Sequence, residues 1–144
     1  SALRALPAGM EIAPVSIEEV ADLDQAVTGL TRPEDHAAWE KWDRQRLGLY
    51  ESGNLVGYGY VQSVGRLGPV VVHEAEHLLP FVGALMDRLP DVETWLLNVP
   101  GPAAETFETL LKAGLRLEGP PVIYCATELR IDHSRYLPST FALP

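Results

Sequence analysis

The side chains best suited to chemistry fall into a few groupings. His73 and His77 stand four apart beside Glu74 and Glu76, a spacing that can hold a metal ion when both imidazoles leave one helical face. Pro80 forces a helix here to begin near His77, because its ring removes a donor and would break a helical hydrogen bond. His73 then precedes the helix, the pair need not share a face, and no metal site is expected. Tyr124 and Cys125 lie together on a late apolar segment, where a phenol or thiol could face a cleft; a lone cysteine is more commonly a small buried hydrophobe. Asp35 and His36 fall in a helical first turn, where Asp35 complements the positive helix end and His36 reads as a surface residue. Tyr58 and Tyr60 alternate with Gly57 and Gly59, so a strand would show two rings on one face and bare backbone on the other. That bare face could admit a ligand or the close packing of a core helix.

The elements that must position these residues follow from the pattern around them. Residues 10–15 read as a short strand. Ser16 and Glu19 form a capping box before a helix whose inner face is Val20, Leu23, Val27 and Leu30. A second helix opens at Thr31-Arg32-Pro33 and carries Trp39 and Trp42, three apart and both able to face a sheet. From Gly48 the period changes: two strand-like runs flank Ser52-Gly53-Asn54 as a hairpin, and residues 66–72 follow as a third, apolar strand. An amphipathic helix presents Leu78, Val82, Leu85 and Leu89. A buried strand over 93–99, containing Trp95, leads to a helix with Phe107, Leu110 and Leu111 inward, closed by Gly114. Residues 115–118 and 122–129 read as final strands. The predicted fold is α/β (α+β): a mixed, mostly antiparallel sheet of about six to seven strands with about four helices. Residues 1–9 read as a linker, 10–130 as the domain, and 131–144 as an extended tail too proline-interrupted for regular structure, whose apolar residues, Tyr136 and Leu137 among them, should dock on this domain or a partner. The linker-like opening from Ser1 suggests a truncated or processed product.

Composition bounds the function. The net charge of −9, with 11 Lys and Arg, argues against nucleic acid and against an anionic membrane surface. No apolar run approaches the ~18 residues of a spanning helix. A single cysteine excludes an internal disulfide, which suits a reducing cytoplasm.

The element order, with LYESGNLVGYGYV, ETWLLNVPG and Lys112-Ala113-Gly114-Leu115, resembles the GNAT superfamily of N-acetyltransferases. GLTRPEDHAAW, GRLGPVVV and SRYLPSTFALP narrow the resemblance to the C-terminal half of two-domain bacterial members. It implies a coenzyme loop of the form Q/R-x-x-G-x-G/A after the 66–72 strand, in which glycine backbone and a helix N-terminus grip pyrophosphate. Here His77 takes the leading position, while Leu78, Pro80 and Val82 stand where glycine or arginine should be. The tyrosine that serves as general acid in many members falls on Leu110, and the asparagine that opens its helix on Ala103, with Asn98 a few residues upstream. Asp35 and His36, with Tyr58 and Tyr60, are the substrate-side candidates that the resemblance implies.

The expectation is therefore a degenerate half that binds no coenzyme and supports an N-acetyltransferase, partnered by an N-terminal GNAT half or a second copy. Two alternatives stay open. One is an active N-acetyltransferase on a small amine, using acetyl-CoA at an atypical site with Tyr124 or a Glu-held water in place of Leu110. The other is a stand-alone ligand-binding or dimerisation module.

Overall fold

The computed structural model describes residues 3–123 and 131–140. In chain order the elements are β1 (Met10–Pro14), α1 (Ile17–Thr28), α2 (Pro33–Lys41), β2 (Gln45–Glu51), β3 (Asn54–Gln62), β4 (Arg66–Val72), α3 (Leu78–Asp87), α4 (Ala104–Lys112) and β5 (Tyr136–Leu137). Strands β1 to β4 form an antiparallel meander, and β5 joins antiparallel to the outer edge of β4.

Local sequence accounts for most of these boundaries. Ser16 Oγ accepts from Glu19 N at 3.3 Å while Ser16 N donates to Glu19 Oε2 at 2.9 Å, which closes the capping box. Gly29, at φ 72°, ends α1, so Leu30 lies outside the helix and is exposed; the place expected for it on the inner face goes instead to Asp24 and Thr28. The β2–β3 hairpin turns on Ser52 and Gly53, both at positive φ (50° and 81°), as a two-residue type I′ turn requires. A short 3₁₀ turn, Ala75–His77, precedes α3, which places Pro80 in the first helical turn.

The sheet buries both faces. Against one pack α3, Leu3 of the N-terminal segment and Leu110 of α4; against the other pack α1 and α2. Within the segment expected to be a linker, Leu3 is a core residue and Leu6 is partly buried against the same core. The bare face of β3 is taken by α3: a Cβ built on Gly59 would lie 2.6 Å from Leu85 Cδ1 and 3.6 Å from Phe81 Cε1. Close helix packing, rather than a ligand, accounts for Gly59, whereas Gly57 is crowded by its strand neighbours, a built Cβ lying 3.0 Å from Val71 O and 3.1 Å from Val72 Cγ1. Gly59→Val should therefore cost about 1–3 kcal/mol by overpacking, read as a lowered urea midpoint at unchanged m-value.

Two expectations about helix faces change. Trp39 is fully buried, but α2 stops at Lys41, so Trp42 caps its end at 45% exposure instead of facing the sheet. Leu111 points outward from α4, whose inner face is Thr106 and Leu110 with Phe107 half-buried. The described residues form five strands. Residues 93–99 contribute a single parallel bridge, Leu96 to Arg66, and residues 115–118 form no ladder. The expected strand 122–129 lies largely outside the described residues. The tail, expected to be irregular, supplies β5 instead. By pairing with β4 it takes most of the edge that a full strand at 93–99 would need.

Candidate functional site

A buried polar cluster lies on the α1/α2 side of the sheet, assembled from four separate elements and the α1–α2 loop. Helix α1 supplies Asp24 from within its apolar stripe, and the loop supplies Arg32 as N-cap of α2. Helix α2 adds His36, β3 adds Tyr58 and Tyr60 from one face, and β5 adds Tyr136. Each of these residues is at most 7% exposed.

Arg32 grips Asp24 in bidentate fashion, Nε to Oδ2 at 3.0 Å and Nη2 to Oδ1 at 2.7 Å. Its Nη1 donates to the Tyr136 hydroxyl at 3.0 Å, and Nη2 reaches the Tyr58 hydroxyl at 3.3 Å. Tyr58 in turn donates to Asp24 Oδ1 at 2.5 Å. The guanidinium lies 5.3 Å from the Trp39 ring centroid and 5.5 Å from that of Tyr136, inside cation–π range. His36 Nδ1 meets the Tyr60 hydroxyl at 2.8 Å, and Arg46 Nη1 donates to the same hydroxyl at 3.1 Å and to Glu40 at 2.7 Å. His36 Nε2 stands 3.6 Å from Asp24 Oδ2, too far for a hydrogen bond but close enough to feel its charge.

Electrostatics fix the protonation states. Burial alone would raise the Asp24 pKa, but the adjoining His36, Arg32 and Tyr58 outweigh it and hold the carboxyl at about 2. Burial, reinforced by the Asp24 charge, pushes the Tyr58 phenol well above its ordinary value. Burial carries Tyr136 to about 12 in spite of the opposing charge of Arg32. At neutral pH the cluster is thus a carboxylate and a guanidinium ringed by neutral phenols. As packed, it fixes two helices and β5 to the sheet and leaves no member open to a substrate.

The substrate-side candidates divide accordingly. His36, Tyr58 and Tyr60 meet in this cluster, whereas Asp35 is half-buried outside it and acts on Tyr136 only through its charge. His36, expected at the surface, is buried because it shares the inward face of Trp39, three residues on; the rings pack edge to face at 5.0 Å. Tyr124 and Cys125 lie outside the described residues. Asp24 and Arg32 went unrecognised, although a carboxylate within the stripe Val20, Leu23 and Val27 was a usable signal. Tyr136 had none beyond its apolarity.

At the end of β4 the predicted coenzyme loop is a packed corner. His77, Leu78, Pro80 and Val82 are all buried, and Leu110 and Ala103 are core residues. The backbone N–H of His73 donates to Val56 O at 2.8 Å and that of His77 to Glu74 O at 3.0 Å. The N–H of Leu78 goes to Ala75 O, and Pro80 has none to offer. Glu74 and Glu76 stay exposed beside this corner. Along the β4 edge, Val72 N donates to Arg135 O at 3.0 Å, and Val70 and Val71 pair with Leu137 and Tyr136. The same segment runs on to Ser139, whose carbonyl accepts from Asn98 Nδ2 at 2.9 Å. Among the described residues no three His, Cys, Asp or Glu side chains converge as metal ligands, and no helix is long and apolar enough to cross a membrane.

No protein-family model matches the chain, and no curated protein does. Among solved structures it is similar to the crystal structure of ribosomal-protein-alanine N-acetyltransferase from Brucella melitensis biovar Abortus 2308. The two share 19% sequence identity at a TM-score of 0.56, over 81% of this chain and 99% of that one. At that identity the likeness establishes the fold, and the fold is GNAT-like.

Proposed function

We propose that this chain is a GNAT-like acyltransferase-type domain that has lost its coenzyme site and serves as the supporting half of a tandem N-acetyltransferase. The corner after β4 carries this reading. A pyrophosphate cradle needs several free N–H groups at a helix start and little side-chain bulk around them. Here the N–H groups of His73, His77 and Leu78 are spent within the chain, Pro80 supplies none, and Leu78 and Val82 fill the space with core side chains. Glu74 and Glu76 set negative charge where the phosphates would arrive. The residues present do not fit a coenzyme A thioester. Leu110 adds a second departure, since an apolar core side chain has no proton to deliver to a leaving thiolate. The sealed β4 edge adds a third: a ligand reaching from this corner along the sheet would meet residues 135–137.

The role left to such a domain is to pack against a catalytic half or a second copy and to contribute a wall to its acceptor site. Calorimetric titration of the chain with acetyl-CoA tests the reading. No saturable heat and no shift in melting temperature are expected, and micromolar binding would sink it. Co-purification with an N-terminal half that carries an intact glycine loop would support the tandem arrangement.

A further inference from the structure

The opposite end of β4 holds positive charge that no described Asp or Glu neutralises. Arg44, at the α2–β2 junction, is 7% exposed, and Nη1 donates to Gly68 O at 2.7 Å and to Ser139 Oγ at 2.6 Å. Its Nε is buried with no partner. Neither Arg44 nor Arg66 forms an ion pair with any described Asp or Glu; the nearby Glu40 is spent on Arg46 at 2.7 Å. Burial, and next the charge of Arg66, hold the Arg44 pKa below the ordinary guanidinium value. In a chain of net charge −9, two neighbouring guanidiniums without a described carboxylate partner are a local reversal of sign.

These two arginines line a surface groove of about 500 Å³ with Trp42, Gln62 and Thr140. Trp42, exposed against the usual tendency of the residue, keeps the Arg44 guanidinium 5.4 Å from its ring centroid and offers the groove an apolar wall. Gln62 braces that wall by donating from Nε2 to Trp42 O at 2.6 Å.

We propose that this groove binds a small oxyanion, carboxylate or phosphate, carried on a flat apolar group. The anion sits against Arg66 and Arg44, and the flat group lies on Trp42. Arg66, exposed at the groove, offers an oxyanion charge-assisted donors, and the Arg44 guanidinium beside it adds a second positive charge to the same wall. The site stands apart from the corner after β4, so its occupancy neither requires nor excludes the supporting role proposed above.

The test is calorimetry on the full chain with inorganic phosphate, benzoate and phenyl phosphate at constant ionic strength, with chloride as reference. Saturable binding of phenyl phosphate or benzoate is expected, tighter than inorganic phosphate; which of the two binds better identifies the preferred anion. Arg66→Gln changes an exposed side chain with no described ion pair, so it should leave the melting temperature in place while weakening binding roughly tenfold, the loss of a charge-assisted contact. Trp42→Ala should weaken the aryl ligands and leave inorganic phosphate unchanged. No saturable heat from any of the three, or affinities that Arg66→Gln leaves intact, would overturn the proposal.

Discussion

An Arg32→Ala variant is expected to lose about 3–5 kcal/mol of folding free energy, the cost of leaving one partner of a buried ion pair alone. Asp24 would keep its charge in a site 1% exposed, with only Tyr58 as a direct side-chain donor, and Tyr136 would lose the guanidinium that accounts for its hydroxyl. Urea denaturation followed by circular dichroism measures the loss; a change below about 1 kcal/mol would show that the cluster does not hold the helices in place. Arg32→Met combined with Asp24→Asn removes both charges and should recover part of the loss, since the penalty comes from the unpaired charge rather than from the missing bond.

The same pair sets an acid limit. The Asp24 pKa falls from 3.8 to about 2 on folding, so its contribution is fully present above pH 3.8 and is lost as pH drops through the folded value near 2. A depression of that size corresponds to roughly 2 kcal/mol. In Asp24→Asn the stability of the protein should lose this part of its slope over that pH window.

Removing residues 134–144 should abolish cooperative folding. Tyr136 and Leu137 are fully buried, and because neighbouring strand residues point to opposite faces, they enter different cores: Tyr136 the α1/α2 side and Leu137 the α3 side. Truncation therefore opens a cavity on each face of the sheet, frees the Val70–Val72 edge and deprives Arg32 of a hydroxyl partner. Burial of two such side chains contributes about 1.5–3 kcal/mol each before cavity terms, and the total rivals the 5–15 kcal/mol that holds a typical domain together. A truncated chain that still melts in one sharp transition would show that the segment is dispensable. Leu137→Ala is the graded version, expected to fold with a deficit of about 2–5 kcal/mol.

Much of the scaffold was legible in short windows of sequence. Ser16 with Glu19, Ser52-Gly53 and Pro80 each act within a helical turn or a hairpin, so residue type fixed the start of α1, the β2–β3 turn and the late start of α3. The bulk of the corner after β4 was equally plain, because Leu78, Pro80 and Val82 carry it wherever the chain goes. The candidate site was half legible. Tyr58 and Tyr60 were placed on one face by strand alternation, but His36, read as a surface residue of a helical first turn, is buried because it shares a face with Trp39.

What the sequence by itself determined, then, is the order of elements from β1 to α3 and the side-chain bulk that fills the corner after β4. Only the tertiary structure decided how that corner is sealed and which polar groups meet. Arg32 finds the Tyr136 hydroxyl across 104 residues of chain, and β4 takes its last neighbour from a segment whose prolines made it look irregular. The physical reason is range. Helical and hairpin periodicities act over a few residues, whereas burying a charge pair and closing a sheet edge depend on groups that become neighbours only once both faces of the sheet are packed.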